Sequence, residues 1–168
     1  MYDLAIIGGG PAGYVAAERA GAAGLSVVLF EKRELGGVCL NEGCVPTKTL
    51  LYSAKMYDHA TGGKKYGITA GEVSFDYKKI ADRKTKVVRK LVAGIKMKLE
   101  ACNVAVVRGE AMIERGDAQC VVVTCDGQAF EAKKLLVCTG SEAFVPPIPG
   151  IEGNESVVTN REMLALTE

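Results

Sequence analysis

Gly8-Gly9-Gly10-Pro11-Ala12-Gly13 interrupts the chain between a short apolar run, Tyr2 to Ile7, and a row of small helix-favouring residues, Tyr14 to Ala23, that Gly24 stops. A second apolar run, Leu25 to Phe30, follows and closes at Glu31. Strand, glycine turn, helix and strand within about 30 residues make a β-α-β unit, whose two strands are parallel and whose crossover is right-handed. Gly8, Gly10 and Gly13 fit G-x-G-x-x-G in the context that a dinucleotide fingerprint requires. Gly8 makes the tight turn, Gly10 lets the backbone approach a pyrophosphate, and Gly13 lets the helix pack on the strand. The helix N-terminus offers free N–H groups and a partial positive charge, so a diphosphate can bind without a basic side chain. Glu31 lies 18 residues beyond Gly13, where an acid can hydrogen-bond ribose hydroxyls and disfavours a 2′-phosphate. The turn alone leaves NAD and FAD equally open.

The 168 residues are 48% apolar and 24% charged, the proportions of a globular chain. A formal charge of +1 supplies no global field for nucleic acid or an anionic membrane, and neither is expected as a partner. The longest apolar runs fall far short of the roughly 18 residues that span a bilayer. The opening residues lack the form of a secretion signal, because Asp3 precedes a brief apolar run that leads straight into glycines. A cytoplasmic location is expected, or the mitochondrial matrix in a eukaryote.

Further along, Thr47 to Thr61 reads as a helix with Leu50, Leu51, Ala54 and Tyr57 on its apolar face. Phe75 to Ala101 reads as a longer helix, with Ile80, Val87, Val88, Leu91, Ile95 and Leu99 inward and nine basic residues on a solvated face. Val104 to Val107 is a third short strand. Ala111 to Glu114, Cys120 to Thr124 and Gln128 to Ala132 form a three-strand meander, its second turn being the hairpin signal Asp126-Gly127. Leu135 to Cys138 reads as a separate buried strand that runs into Thr139-Gly140-Ser141. The fold class expected is α/β, a Rossmann-like domain with a parallel sheet, crossover helices and an antiparallel meander.

Of the six cysteines, Cys102, Cys120, Cys125 and Cys138 sit in apolar or strand-like settings and read as small hydrophobes. Cys39 and Cys44 lie five apart in Gly36-Gly37-Val38-Cys39-Leu40-Asn41-Glu42-Gly43-Cys44-Val45-Pro46-Thr47-Lys48. A zinc site would need four ligands in close pairs, and the single histidine, His59, has no such spacing; no metal is expected. An inert reduced pair and a redox disulfide remain. For the second, the helix opened by Pro46 to Lys48 would favour a thiolate at Cys44, and thiolate attack on sulfur passes two electrons.

This thirteen-residue segment resembles the active-site signature of the pyridine nucleotide–disulfide oxidoreductases, and the resemblance extends through the glycine turn, the Thr47 to Thr61 helix and Thr139-Gly140-Ser141. Leu40-Asn41 and Thr47-Lys48-Thr49-Leu50-Leu51 are more similar to the members that oxidise dihydrolipoamide than to glutathione or mercuric reductases. The resemblance implies that the turn binds FAD, with Gly8, Gly10 and Gly13 at the pyrophosphate and Glu31 at the adenosine ribose. It further implies Lys48 beside the flavin, a backbone contact from Ala111 to adenine, a second flavin-contacting turn at Thr139, Gly140 and Ser141, and Pro11, Ala12, Lys32, Gly37 and Val38 among the other cofactor-binding residues. Cys44 would face the flavin as a thiolate and Cys39 would exchange with dihydrolipoamide, the electrons passing through FAD to NAD⁺. The implied partner is the lipoyl domain of a 2-oxoacid dehydrogenase or glycine cleavage complex, and the implied assembly a homodimer.

Family members are longer, and the resemblance implies a fragment: an FAD-binding domain over 1–150 and a linker over 151–168 leading toward an NAD-binding domain. Such a piece would not turn over lipoamide by itself. His59 does not match the family's acid–base histidine and reads as a surface residue. A standalone nucleotide-binding module without catalysis is the alternative.

Overall fold

A computed structural model describes residues 1–167; Glu168, the last residue of the expected linker, lies outside the described residues. Among the described residues, six strands form one sheet in the order β3-β2-β1-β6-β5-β4. They are β1 (Tyr2–Ile7), β2 (Val27–Glu31), β3 (Ala105–Arg108), β4 (Ala111–Gly116), β5 (Val121–Cys125) and β6 (Gln128–Val137). The helices are α1 (Pro11–Ala22), α2 (Gly37–Asn41), α3 (Cys44–Thr61), α4 (Tyr77–Ala101) and α5 (Asn160–Ala165).

β1 pairs in parallel with β2 on one side and β6 on the other, and β2 pairs in parallel with β3. Val27 to Phe30 are all buried, as in a strand covered on both faces. Alternate residues feed two cores. Ile6, Val27 and Leu29 pack with Ala17 of α1 and with Ile95 and Leu99 of α4. Ala5, Val28 and Phe30 pack on the other face with Val121, Val123 and Ala132. There Phe130 meets Phe30 edge-on, ring centroids 5.1 Å apart, so the antiparallel strands curl over the parallel ones.

Three expectations need correction. The third meander strand and the separate strand at Leu135 are one strand, β6. Its first half pairs with β5 antiparallel and its second half with β1 in parallel, Ala132 facing both Val121 and Tyr2. Lys133 and Lys134 suggest a break in the sequence, yet Lys133 stays in the strand and binds the Asp3 carboxylate at 2.7 Å.

On α3 the buried stripe runs through Pro46 and Thr49, whereas Leu51 is 62% exposed and Ala54 and Tyr57 also face outward. Thr49 can be buried because its hydroxyl donates to the Val45 carbonyl of its own helix at 2.8 Å. On α4, Lys84 is buried rather than solvated, its ammonium donating to the Leu164 carbonyl of α5; Leu91, expected inward, is 44% exposed. The remaining basic side chains do face outward, and His59 is exposed as expected.

Helix ends follow local chemistry. Asp76 caps α4 through the Lys79 N–H at 3.1 Å. α5 opens with a capping box in which Thr159 and Glu162 satisfy each other's backbone. Among the described residues no helix is long and apolar enough to cross a membrane.

Candidate functional site

The site starts from contacts that tolerate no side chain. Gly8 has φ +106°, and a Cβ there would lie 2.2 Å from the Cys138 carbonyl oxygen. A Cβ on Gly13 would lie 1.8 Å from the Gly8 oxygen, so α1 presses directly on the turn that precedes it. Gly37 has φ +57°, and its Cβ would meet the Gly10 Cα at 2.7 Å. The glycine turn and the start of α2 therefore touch backbone to backbone, which brings the cysteine segment against the N-terminus of α1. That N-terminus has no side-chain cap and no acid in its first turn, leaving its N–H groups and positive dipole end for an anion.

Glu31, at the end of β2, has a second task beyond the one expected. One carboxylate oxygen accepts from the Gly9 N–H at 2.7 Å and the other from the Arg33 N–H at 2.7 Å. A Cβ on Gly9 would lie 2.8 Å from the Leu35 Cδ2 and 3.0 Å from the same carboxylate. A carboxylate has about four acceptor positions, so two remain for ribose hydroxyls.

These elements wall a cleft of about 600 Å³, within the range of small-ligand and cofactor sites. Gly8, Gly10, Pro11 and Ala12 form one wall, with Glu31 and Lys32 beside them. Gly37, Val38 and Cys39 of α2 form another, and Ala111, Thr139, Gly140 and Ser141 complete it. Three expected residues lie elsewhere: Gly13 sits behind the turn, while Cys44 and Lys48 are exposed on α3.

Several lining residues have no sequence signal. Arg33, Glu34, Glu42, Glu142 and Arg161 ring the cleft. Arg161 donates from Nε to Glu42 at 2.6 Å and binds Glu142 at 2.5 Å, and its hydrogen bond holds the Glu142 carboxyl below the usual range. Arg33 also binds Glu42. Lys32 pairs with Glu110 at 2.9 Å, raising the ammonium and lowering the carboxyl.

Cys39 and Cys44 are both free thiols. α2 ends at Asn41, and Glu42 and Gly43 reverse the chain so that Cys44 heads the 18-residue helix α3 with its sulfur in hydrogen-bonding contact with Cys39. Cys39 is pushed above the ordinary thiol value first by that hydrogen bond, then by burial and by charge on Cys44, with the Cys44 backbone N–H and, less, Lys48 pulling the other way. Cys44 stands at the N-terminal end of α3, whose first turn has no side-chain cap. Cys125 is buried and pushed up by desolvation; Cys102, Cys120 and Cys138 are half-buried.

Comparison with known proteins gives one consistent result. The chain is 44% identical to a dihydrolipoyl dehydrogenase of Acholeplasma laidlawii over 97% of its own length and 48% of that protein's. It is 40% identical to the dihydrolipoyl dehydrogenase of Mycoplasma genitalium and 39% to one from Bacillus subtilis, covering 98% of this chain and 36% of each relative. The chain therefore spans between about a third and a half of the length of these curated relatives. Among solved structures, the HOCl-induced flavoprotein disulfide reductase RclA of Escherichia coli superposes with a TM-score of 0.79 at 30% identity, over 99% of this chain and 34% of that one. The family model described as pyridine nucleotide-disulphide oxidoreductase matches residues 2–167, and with the glycine turn, Glu31 and the apposed cysteines on one fold, the chain belongs to that family.

Proposed function

We propose that the cleft holds FAD and that Cys39 and Cys44 form a redox disulfide, the chain contributing the flavin and dithiol parts of a dihydrolipoyl dehydrogenase. The observation that carries this reading is that one cleft is walled by the glycine turn, by Thr139-Gly140-Ser141 and by Cys39. The names of the relatives support the lipoamide substrate over glutathione or mercuric ion.

The uncapped α1 terminus fits a diphosphate, and Gly10 and Gly37 leave room for its close approach. Glu31 retains acceptor capacity for the ribose. Ala111 is assigned to adenine, and Lys32, Val38, Lys48 and Thr139 to Ser141 to the rest of the cofactor. When bound, the flavin supplies a two-electron acceptor that hands the pair on to NAD⁺.

The residues of this chain perform the thiol chemistry. One dihydrolipoyl thiolate attacks the Cys39 sulfur of the disulfide, forming a mixed disulfide and releasing Cys44 as a thiolate. The second dihydrolipoyl sulfur then attacks the first, closing the oxidised lipoyl ring and releasing Cys39, which takes up a proton. The disulfide gains two electrons and the dithiol loses two. Residues 1–150 are assigned as the FAD-binding domain and 151–168 as the link toward an NAD-binding domain. The partner is a lipoyl domain of a 2-oxoacid dehydrogenase or glycine cleavage complex, and the working unit is a homodimer.

The test is turnover by a protein of the relatives' full length. Dihydrolipoamide and NAD⁺ should give NADH, with no comparable activity on glutathione disulfide or mercuric ion. Cys39→Ser and Cys44→Ser should each abolish turnover while the flavin absorbance persists. Turnover retained in either variant refutes the reading.

A further inference from the structure

We propose that Asn160 and Arg161 of α5 are positioning residues that set the dithiol–disulfide equilibrium of Cys39 and Cys44, by gripping Glu42 in the turn between them. The proposal rests on reading that pair as a redox disulfide and adds a control element that lies far away in sequence.

Every polar group of Glu42 is held. Its N–H donates to the Val38 carbonyl at 2.8 Å, which closes α2. Its carbonyl accepts from Asn160 Nδ2 at 2.8 Å, and its carboxylate accepts from Arg161 Nε at 2.6 Å. Arg33 takes the remaining carboxylate oxygen. Two of these holds come from one short helix about 120 residues away. The adjoining Gly43 has no slack either, because a Cβ there would stand 3.0 Å from the Val38 oxygen.

The environment makes the grip effective. The Glu42 side chain is 18% exposed and that of Arg161 29%, so water screens this pair less than the open pairs elsewhere on the surface. The other arm of Arg161 reaches Glu142, next to Ser141, so the cysteine turn is tied to a second wall of the cleft. α5 is anchored in turn by Lys84 through the Leu164 carbonyl.

A disulfide forms only over a narrow range of separations, with Cα atoms about 5.5 Å apart and the sulfurs about 2 Å apart. A turn held rigid limits how far the two neighbouring thiols can separate and favours the bond; a loosened turn lets them spread apart. A loosened turn therefore makes the disulfide easier to reduce.

The experiment equilibrates this chain in glutathione buffers, where Cys39 and Cys44 lose two electrons and two protons to oxidised glutathione, giving two reduced glutathione molecules. Acid quenching, alkylation and mass analysis read the extent. Arg161→Gln should lower the equilibrium constant for disulfide formation about tenfold, a rise of ~30 mV in potential. Arg161→Lys, which keeps the charge but loses the fork, should fall between the two. Glu42→Gln with Arg161→Gln should cost no more than Glu42→Gln alone, since both act through one contact. Lys133→Met, which breaks an exposed pair with Asp3 on the sheet, should leave the equilibrium unchanged at whatever stability it loses. A wild-type equilibrium in both Arg161 variants overturns the proposal while leaving the redox disulfide standing. A wild-type chain that never links Cys39 to Cys44 overturns both.

Discussion

Glu31→Gln separates the structural task of this carboxylate from any contact with a nucleotide, because the first should show in the chain without ligand. The substitution conserves volume but replaces one acceptor oxygen with an NH₂ group. Both carboxylate oxygens are in use, on the Gly9 and Arg33 N–H groups at 2.7 Å each. In either amide orientation one backbone donor then faces another donor. The Gly9 bond is partly buried and the Arg33 bond exposed, so the amide oxygen should turn to Gly9 and Arg33 should rebond to water. A hydrogen bond to a charged group contributes about 1.5–3 kcal/mol, and water recovers part of that at the exposed donor. The expected loss is about 1–2 kcal/mol for Glu31→Gln and about 2–4 kcal/mol for Glu31→Ala, which strands both donors. Urea denaturation of the ligand-free chain, with the m-value held constant, measures this. For a chain of this size the midpoint temperature should fall by about 2–8 °C for Glu31→Gln. Ligand-free stability equal to wild type in both variants would refute the structural role and leave Glu31 as a ribose contact alone.

Gly37→Ala should destabilise the chain by about 2–4 kcal/mol, from positive-φ strain together with collision against the Gly10 backbone; a thermal melt within 1 °C of wild type, on the order of experimental error, would contradict the close approach. Because the folded state holds the Cys39 proton more tightly than the unfolded chain, where the value is 9.0, the folded form binds more protons above that pH. Stability should therefore be flat below about pH 9 and fall as pH rises beyond it, with Cys125 contributing to the same slope and Cys39→Ala reducing it. Denaturant midpoints across pH 8 to about 10.5 check the sign. On the same grounds, alkylation of Cys39 in Cys44→Ala should move toward the pH profile of an ordinary thiol, since its principal hydrogen-bond partner is gone, while burial still holds it somewhat above.

What the sequence made legible is what short-range rules encode. Gly8, Gly10 and Gly13 form a spacing that can be read within one short segment, although only the Gly13 contact, with the Gly8 oxygen, is local, while Gly8 meets Cys138 and Gly10 meets Gly37. Cys39 and Cys44 are readable because two reactive side chains share one glycine-rich segment. α5 lies in the stretch expected to be a linker, although Thr159 and Glu162 carry a three-residue spacing that is a helix-start signal. The face of α3 was not legible, because hydrophobicity alone ranks Leu51 above Thr49, while Thr49 buries by bonding its own helix. Strand β6 escaped because two adjacent lysines resemble a loop, and only the partner strand supplies Asp3 to receive one of them. The ring of Glu42, Arg161 and Glu142 has no local pattern: its members come together only when α5 folds back over the cysteine turn.

The most direct trial of the central claim is a map of the thiols after mild oxidation. The chain is equilibrated with oxidised glutathione, its remaining thiols are alkylated, and its peptides are sequenced by mass spectrometry. The account predicts a single intramolecular bridge between Cys39 and Cys44, reversed by dihydrolipoamide, with Cys102, Cys120, Cys125 and Cys138 alkylated once the chain is unfolded. Full alkylation of both Cys39 and Cys44 after that treatment, or a bridge that involves any other cysteine in their place, would contradict it.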